Sequence, residues 1–274
     1  MIYRAFALGT LAALASVLHG HQALASNLDN DSLSISREIT IGDITAKVTP
    51  GISLDSTGSS GAFSEFYGDN TVTIDFNSTA TQIEENRYTF GSELITYTFE
   101  KTLDTTPLSQ KTGVYNDRWA PAGINGEKNT SDYLAVFQGN SVTVDLHNDL
   151  NYFGINWGAL SKGNDFTFLR DGTEISTFTY EDINPIAAVK AAHHNNEGNG
   201  YVHFYSNTDN SSFDQIKISQ TSAGGFESDN HSFHLGNGPF NFDENFPNSQ
   251  AVPEPISLMG IITIGVLMLR RKFY

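Results

Sequence analysis

The stretch Phe166-Thr-Phe-Leu-Arg-Asp-Gly-Thr-Glu-Ile-Ser-Thr-Phe178 contains two runs of alternating apolar and polar residues, separated by Asp171-Gly172. Successive side chains of a strand point to opposite faces of the sheet, so this alternation predicts two strands that each bury one face. The Asp-Gly pair tolerates the positive φ angles that a two-residue type I′ turn requires. The stretch therefore predicts an antiparallel β-hairpin.

The same alternation continues along most of the chain. It is clearest at residues 71–76, 95–99 and 141–146, and further strands are predicted at residues 39–48, 134–137, 153–157, 201–205, 213–218 and 231–235. Trp157 shares the inward parity of Phe153 and Ile155, so we expect it in the core. One short helix is predicted at residues 185–192. We expect an all-β fold, an antiparallel jelly-roll-like β-sandwich ectodomain over residues 26–236.

The first 25 residues have the three parts of a signal peptide in the right order. A positive charge at Arg4 precedes an apolar run over residues 5–18, and Ala23 and Ala25 form a small-x-small cleavage site. We expect signal peptidase to cleave after Ala25, which places the rest of the chain outside the cytoplasm.

A second apolar run, residues 256–269, ends at Arg270, Arg271 and Lys272. A relaxed transmembrane helix takes about 20 apolar residues, so we expect one short transmembrane helix that anchors the chain transiently. The basic cluster predicts a cytoplasmic stop by the positive-inside rule. Residues 237–251 are predicted to be a polar linker between the ectodomain and the membrane.

Val252, Pro253, Glu254 and Pro255 stand directly before this helix. The prolines block helix formation there and keep the stretch extended, as a protease cleft requires. The motif, the helix and the basic stop together resemble the PEP-CTERM sorting signal. The resemblance implies that residues 252–274 form a tail that a membrane-embedded exosortase recognises and processes. A plain single-pass anchor that stays attached is the alternative.

Part of the ectodomain also resembles a family of exosortase-dependent surface proteins. The similarity covers about residues 65–235, and the stretches that carry it are Asn151-Tyr-Phe-Gly-Ile-Asn-Trp-Gly158, Asn164-Asp-Phe-Thr-Phe168, residues 175–183 and Phe226-Glu-Ser-Asp-Asn-His-Ser-Phe233. This resemblance implies a secreted β-sandwich without an established activity.

The composition excludes several classes of protein. Fifteen basic residues stand against 31 acidic ones, for a formal net charge of −16, which repels nucleic acid and attracts divalent cations. The chain has no Cys, which excludes disulfides, thiolate catalysis and Cys-ligated zinc. A nucleophile elbow and an HExxH motif are missing, while a carboxylate dyad stays open because sequence alone shows no separation. We expect no enzyme activity and no nucleic-acid partner.

Two candidate sites follow from residue chemistry. Ca²⁺ prefers hard oxygen ligands, and Glu227, Asp229 and Asn230 are the best candidates in what reads as an acidic loop; solvated turn residues are the alternative. Trp119 and Tyr115 are candidate ligand-binding aromatics, because exposed rings stack on sugars. The histidines, including His231 and His234, are expected to be exposed rather than zinc ligands.

These features favour an exported, non-catalytic cell-surface or extracellular-matrix protein that an exosortase sorts through its tail. Its expected partners are signal peptidase, exosortase, the membrane through the C-terminal helix before processing, and extracellular polysaccharide. The alternative is a lectin-like carbohydrate-binding module that depends on calcium, with Ca²⁺ the one cofactor that the residues suggest.

Overall fold

The computed structural model describes residues 37–68, 70–100, 112–117 and 119–245 of the 274-residue chain. The predicted signal peptide, the sorting motif, the transmembrane helix and the basic stop lie outside these residues. Within the described residues, no helix is long and apolar enough to cross a membrane.

The described residues are mostly strand. The strands are β1 (Glu38–Ile41), β2 (Ile44–Thr49), β3 (Thr71–Ile74), β4 (Ala80–Glu84), β5 (Arg87–Phe90), β6 (Ile95–Phe99), β7 (Gly113–Tyr115), β8 (Tyr133–Phe137), β9 (Asn140–Trp157), β10 (Asn164–Arg170), β11 (Thr173–Thr179), β12 (Val189–Lys190), β13 (Gly198–Ser206), β14 (Phe213–Gln220) and β15 (Gly225–Leu235). Every pairing between them is antiparallel, which confirms the expected all-β antiparallel class.

The hairpin predicted from the Asp-Gly turn is confirmed. Strands β10 and β11 pair antiparallel, and the turn between them has φ of 48° at Asp171 and 72° at Gly172. Both angles are positive, as a type I′ turn requires.

The 18-residue strand β9 organises the sheet. Its first half lies between β6 and β14, and its second half lies between β15 and β13. The two strands predicted at residues 141–146 and 153–157 are thus one strand. The single strand predicted at residues 39–48 is instead the hairpin β1–β2, because Gly42 adopts a φ of 60° and reverses the chain.

The main core packs against one face of this sheet. Trp157 is fully buried there, as its parity predicted, and its ring stacks on Phe226 at 4.7 Å between centroids. Phe153, Phe166 and Phe204 belong to the same apolar cluster. Burial of such large rings is the main source of the domain's stability.

The opposite face of β13, β15 and the second half of β9 is also buried, because irregular segments at residues 51–67 and 119–132 cover it. Hydrogen bonds tie these segments down, such as that between Ser64 Oγ and Tyr152 Oη at 2.7 Å. Polar residues of this face, including Asn156 and Asp229, consequently have no exposed surface. The polar residues that alternate with core residues along these strands therefore line a second, polar interior and are not exposed to solvent.

Two local predictions need correction. Helix α1 spans Tyr180–Ile183, not residues 185–192, because Thr179 and Asp182 form a capping box at its start. Pro185 lies in the 3-10 turn that follows. The predicted linker is wrong for residues 237–242, since Phe240 and Phe242, the first residue of helix α2 (Phe242–Asn245), pack against Phe66 and Tyr152.

Candidate functional site

An aromatic patch lies at the edge of the sheet formed by β7 and β8. Tyr115, Trp119 and Phe137 are half-buried and pack against the buried side chains of Ala120, Tyr133 and Ala135. The structure thus brings the two predicted ligand-binding aromatics into one cluster, which we call the edge patch. Strand β7 pairs with β8 alone among the described strands, so the patch lies at an open edge.

Polar groups hold the rings of the edge patch in place. Asp117 is exposed, and its Oδ1 accepts hydrogen bonds from the backbone N–H of Trp119 at 3.0 Å and from the hydroxyl of Tyr133. The Trp119 ring stacks on His194, with centroids 5.8 Å apart. The patch therefore presents part-exposed rings beside an exposed carboxylate, an arrangement that suits a ligand with both apolar and hydroxyl surface.

Glu227 lies beneath this patch. It stands opposite Ala135 in the pairing of β15 with β8 and is only 7% exposed. Burial raises the pKa of the Glu227 carboxyl to about 8, and the nearby carboxylates of Asp117 and Glu197 add to the shift. The side chain therefore stays largely protonated at neutral pH, which makes it a poor cation ligand in this setting.

Asp229 and Asn230 lie in a different environment. Asp229 is fully buried, and its carboxylate accepts hydrogen bonds from Asn129 Nδ2 at 2.9 Å, Ser131 Oγ at 2.9 Å and the backbone N–H of Asn230 at 2.7 Å. Burial raises the pKa of Asp229 to about 8 despite these bonds. Asn156 lies directly opposite Asp229 on β9.

The fold places the three predicted calcium ligands in two environments. Glu227 lies beneath the edge patch, whereas Asp229 and Asn230 lie under the covering segments. Glu227, Asp229 and Asn230 are residues of strand β15 and are buried, so the expected acidic loop or solvated turn is wrong. No group of three or more His, Asp or Glu side chains among the described residues is arranged to hold a metal ion. Sequence reasoning missed Asn129 and Asn156, because no local pattern shows that they approach Asp229.

The expectation of exposed histidines is also wrong at several positions. His194, His203 and His231 are fully buried. The ring of His203 lies between two polar side chains. Its Nδ1 is 2.8 Å from Tyr152 Oη, and its Nε2 is 3.1 Å from Glu65 Oε2. Burial acts to raise the pKa of Glu65, but the hydrogen bond and charge of His203 outweigh it and lower the pKa. The segment that contains Phe66 covers His203, whereas His231 lies in the main core against Phe76 and Phe153.

A concave surface lies along β4, β5 and β6. It is an open groove of about 600 Å³, lined by Thr81, Ile83, Arg87, Thr89, Gly91, Ser92, Glu93, Thr96 and His147. Its lining has hydroxyl and charged groups but no Trp, Tyr or Phe ring, so it offers no platform on which a sugar can stack.

No family model matches the chain, and no curated relative matches it. Two solved structures are similar to about half of it. One, described as CpGH89CBM32-6 produced by Clostridium perfringens, is 17% identical with a TM-score of 0.28 and covers 53% of this chain and 97% of its own. The other, GH31 CBM32-2 bound to GalNAc, is 8% identical with a TM-score of 0.26 and covers 46% and 98%. TM-scores this low assign neither a fold nor a ligand to this chain.

Proposed function

We propose that this chain is an exported, non-catalytic surface or extracellular-matrix protein whose jelly-roll-like β-sandwich ectodomain binds carbohydrate. The observation that carries the binding proposal is the edge patch, where the half-buried rings of Tyr115 and Trp119 lie beside the exposed carboxylate of Asp117. A pyranose has an apolar C–H face that stacks on such rings and hydroxyl groups that donate to a carboxylate.

The charge of the protein narrows the class of sugar. With a net charge of −16, the chain repels polyanions, so we propose a neutral polysaccharide rather than an acidic one. Because β7 is an edge strand among those described, a long glycan chain can pass along the patch without entering a closed pocket.

The burial of two carboxyl groups near β15 supports the non-catalytic part of the proposal. Glu227 and Asp229 have raised pKa values of the kind that a general acid needs, but they are 7% and 0% exposed. A general acid must reach the substrate to transfer its proton, and side chains buried to this degree do not. We interpret both carboxyl groups as structural.

A glycan array probed with the purified protein, with and without EDTA, tests the binding. We expect neutral glycans to bind and Trp119→Ala to weaken binding by about tenfold, since an aromatic contact contributes about 0.5–1.5 kcal/mol beyond its buried area. Tyr67→Ala is the matched control, because Tyr67 is 46% exposed and is not part of the edge patch. In the Trp119 variant, Trp157 remains as a fluorescent reporter of the intact core.

Two results would reject the carbohydrate proposal. One is an array on which no glycan binds the wild-type protein. The other is binding that survives both Trp119→Ala and Tyr115→Ala with unchanged affinity. Loss of binding in EDTA would show that calcium supports the interaction, as the calcium-dependent alternative expects.

The second proposal concerns export and sorting, and it rests on the order of sequence segments at the two ends. Signal peptidase removes residues 1–25, and an exosortase processes the tail at the motif Val252-Pro-Glu-Pro255, so that the protein reaches the cell surface or the medium. The short apolar run after the motif holds the chain in the membrane until then.

Intact-mass spectrometry of the protein from the cell envelope and from the medium tests this sorting. We expect a mature form without residues 1–25 and without the tail, and retention of the tail in a strain that lacks the exosortase. Glu254→Ala is expected to slow processing, whereas Glu244→Ala, in the stretch ahead of the motif, is the control. A mature protein that keeps Arg271 and Tyr274 in the wild-type strain would reject the proposal.

A further inference from the structure

A row of three threonines crosses the groove along β4, β5 and β6. Thr81 of β4 stands opposite Thr89 of β5. The pairing of β5 with β6 continues the row, because Tyr88 stands opposite Tyr97 and the next positions in that register are Thr89 and Thr96. Neighbouring strands are about 4.8 Å apart, so the row is about 10 Å long. All three threonines line the groove, which we call the hydroxyl groove.

The hydroxyl groups of Thr89 and Thr96 have the properties of ligand contacts. The two residues are 7% and 1% exposed, yet both line the groove. Neither hydroxyl has a hydrogen-bond partner among the residues that the structure describes, and neither oxygen is completely buried. A hydroxyl group can both donate and accept a hydrogen bond. A ligand in the groove therefore meets two such groups whose bonding capacity is unused within the protein.

Alternation along β5 and β6 explains why these hydroxyl groups face the groove. Phe90 and Tyr97 belong to the main core, and successive side chains of a strand point to opposite faces of the sheet. Thr89 and Thr96 are their neighbours in sequence, so they point away from that core. Packing of the core consequently leaves both hydroxyl groups to contacts within the groove.

A bulge in β9 brings His147 to the same groove. The pairing of β9 with β14 shifts register there, and residues 146–149 of β9 stand opposite a single residue of β14. Bulges bend a strand and change the direction of its side chains. His147 is exposed at this point and lines the groove, where its ring nitrogens add a donor and an acceptor.

The charged groups of the groove do not favour an ion. Arg87 lines the groove, but its Nη1 lies 2.9 Å from Glu84 Oε2, so the guanidinium already has an anionic partner. Glu93 is exposed and is the one carboxylate among the described lining residues, which is too few for a metal ion and repels an anion. Ile83 is the one large apolar side chain of the lining. The chemistry therefore suits a neutral ligand rich in hydroxyl groups.

We propose that the hydroxyl groove is a second saccharide-binding site, separate from the edge patch, which takes a segment of a neutral glycan. Its volume of about 600 Å³ lies within the range of about 300–1,000 Å³ that small-molecule sites have. The lining has no Trp, Tyr or Phe ring, so hydrogen bonds supply the affinity. Thr89 and Thr96 bond sugar hydroxyl groups in either direction, and Arg87 donates to sugar oxygens while Glu93 accepts from hydroxyl groups.

Two separate sites would let one molecule hold two glycan chains. The hydroxyl groove and the edge patch have no residue in common. Binding at the groove does not depend on the edge patch, whereas crosslinking rests on the function proposed for that patch. Attachment at two sites raises avidity without any new contact. We therefore expect the protein to crosslink polysaccharide chains, as a component of an extracellular matrix would.

Titration calorimetry with the purified protein tests the groove. The probes are neutral hexasaccharides of glucose, mannose, xylose and galactose, with hexagalacturonate as the acidic comparison. The double variant Tyr115→Ala/Trp119→Ala is the background, because it lacks both predicted ligand-binding rings of the edge patch. We expect at least one neutral probe to bind this background and the acidic probe to bind it more weakly. Fluorescence of the buried Trp157 shows that the background variant is folded.

Two substitutions in the background locate the ligand. Thr89→Val and Thr96→Val each remove one hydroxyl group and keep a β-branched side chain that suits a strand. Each should weaken binding roughly two- to tenfold, which is the effect of one lost hydrogen bond. The thermal midpoint should stay equal or rise, because these hydroxyl groups have no partner among the described residues. Thr143→Val is the matched control, since Thr143 lies on β9 outside the groove.

Turbidity of mixtures with a long polysaccharide of the best-binding sugar measures crosslinking. The wild-type protein should raise the turbidity. The variants Thr89→Val/Thr96→Val and Tyr115→Ala/Trp119→Ala should each keep one site and therefore bind the polysaccharide without crosslinking it.

The groove proposal is overturned if no probe binds the background variant, or if Thr89→Val and Thr96→Val together leave its affinity unchanged. Tighter binding of hexagalacturonate than of every neutral probe would also overturn it, because the groove would then select anions. Wild-type binding that survives the loss of both edge-patch rings and is lost in the groove variants would reject the edge patch alone. Binding that is lost with the rings and unchanged in the groove variants would reject the groove alone.

Discussion

The hydroxyl of Tyr97 lies 3.1 Å from Nδ1 of His231, and both side chains are fully buried in the main core. His231 Nε2 is 3.0 Å from Ser228 Oγ, so both ring nitrogens have a hydrogen-bonding partner in the folded state. Burial lowers the pKa of His231 from its ordinary value of 6.5 to about 3. The folded protein therefore holds a neutral imidazole where the unfolded chain would take up a proton.

This difference predicts sensitivity to acid. As pH falls from about 6.5 to 3, the unfolded chain binds a proton at His231 that the folded protein excludes, so stability present above pH 6.5 is lost. Glu227 and Asp229 act in the opposite direction over this range, so we expect the urea midpoint of His231→Gln to rise relative to that of the wild type as pH falls from 6.5 to 4. His147→Gln, at an exposed site, should follow the wild-type curve. Equal acid sensitivity of both variants would contradict the prediction.

The buried carboxyl groups predict the opposite response at higher pH. Glu227 and Asp229 have folded pKa values of about 8, above their ordinary values of 4.5 and 3.8, so the unfolded chain loses these protons first. Stability should therefore fall as pH rises, by about 1.4 kcal/mol per pH unit for each group. From pH 6.5 to 8 the contribution of His231 fades, because the unfolded imidazole loses its remaining proton there.

Chemical denaturation in EDTA buffers at several pH values between 6.5 and 8 measures how steeply the free energy of unfolding falls with pH. Glu227→Gln should make it shallower, because the variant has no proton to lose. Glu93→Gln changes an exposed carboxylate and is the control. A wild-type midpoint that is constant or rises between pH 6.5 and 8 would show that these carboxyl groups ionise normally in the folded state.

The two tryptophans should differ in their contributions to stability. Trp157 is fully buried, stacks on Phe226 and contacts Phe166 edge to face at 5.1 Å, so Trp157→Ala should cost about 3–5 kcal/mol of unfolding free energy. Trp119 is half-buried, and its replacement by Ala should cost clearly less. Urea denaturation followed by circular dichroism compares the variants, and equal costs would contradict the assigned burial.

The Asp-Gly turn allows a test of backbone conformation alone. Gly172 has a φ of 72°, and nothing lies within 4 Å of a Cβ atom added there. Gly172→Ala should therefore destabilise the protein by about 1–2 kcal/mol through the left-handed conformation and not through a clash. Asp171→Asn should have almost no effect, since Asn tolerates positive φ. Thermal unfolding that ranks the two variants in the reverse order would contradict this account.

Local patterns in the sequence predicted the parts of the fold that depend on near neighbours. The β10–β11 hairpin followed from alternation on either side of Asp171-Gly172, and the burial of Trp157 followed from its parity with Phe153 and Ile155. The same reasoning failed at β9, where a polar stretch around His147 separates two apolar runs of a single strand. Alternation identifies strands but does not show whether two of them are continuous.

The sequence by itself determined the all-β class, the hairpin turn and the inward parity of the core aromatics, because each depends on residues only a few positions apart. Tertiary structure alone decided which polar residues are buried. Asn156, Asp229 and His203 occupy the polar face of an ordinary alternating pattern, yet segments distant in sequence cover them. The convergence of these side chains results from long-range packing, which no local spacing in the sequence encodes.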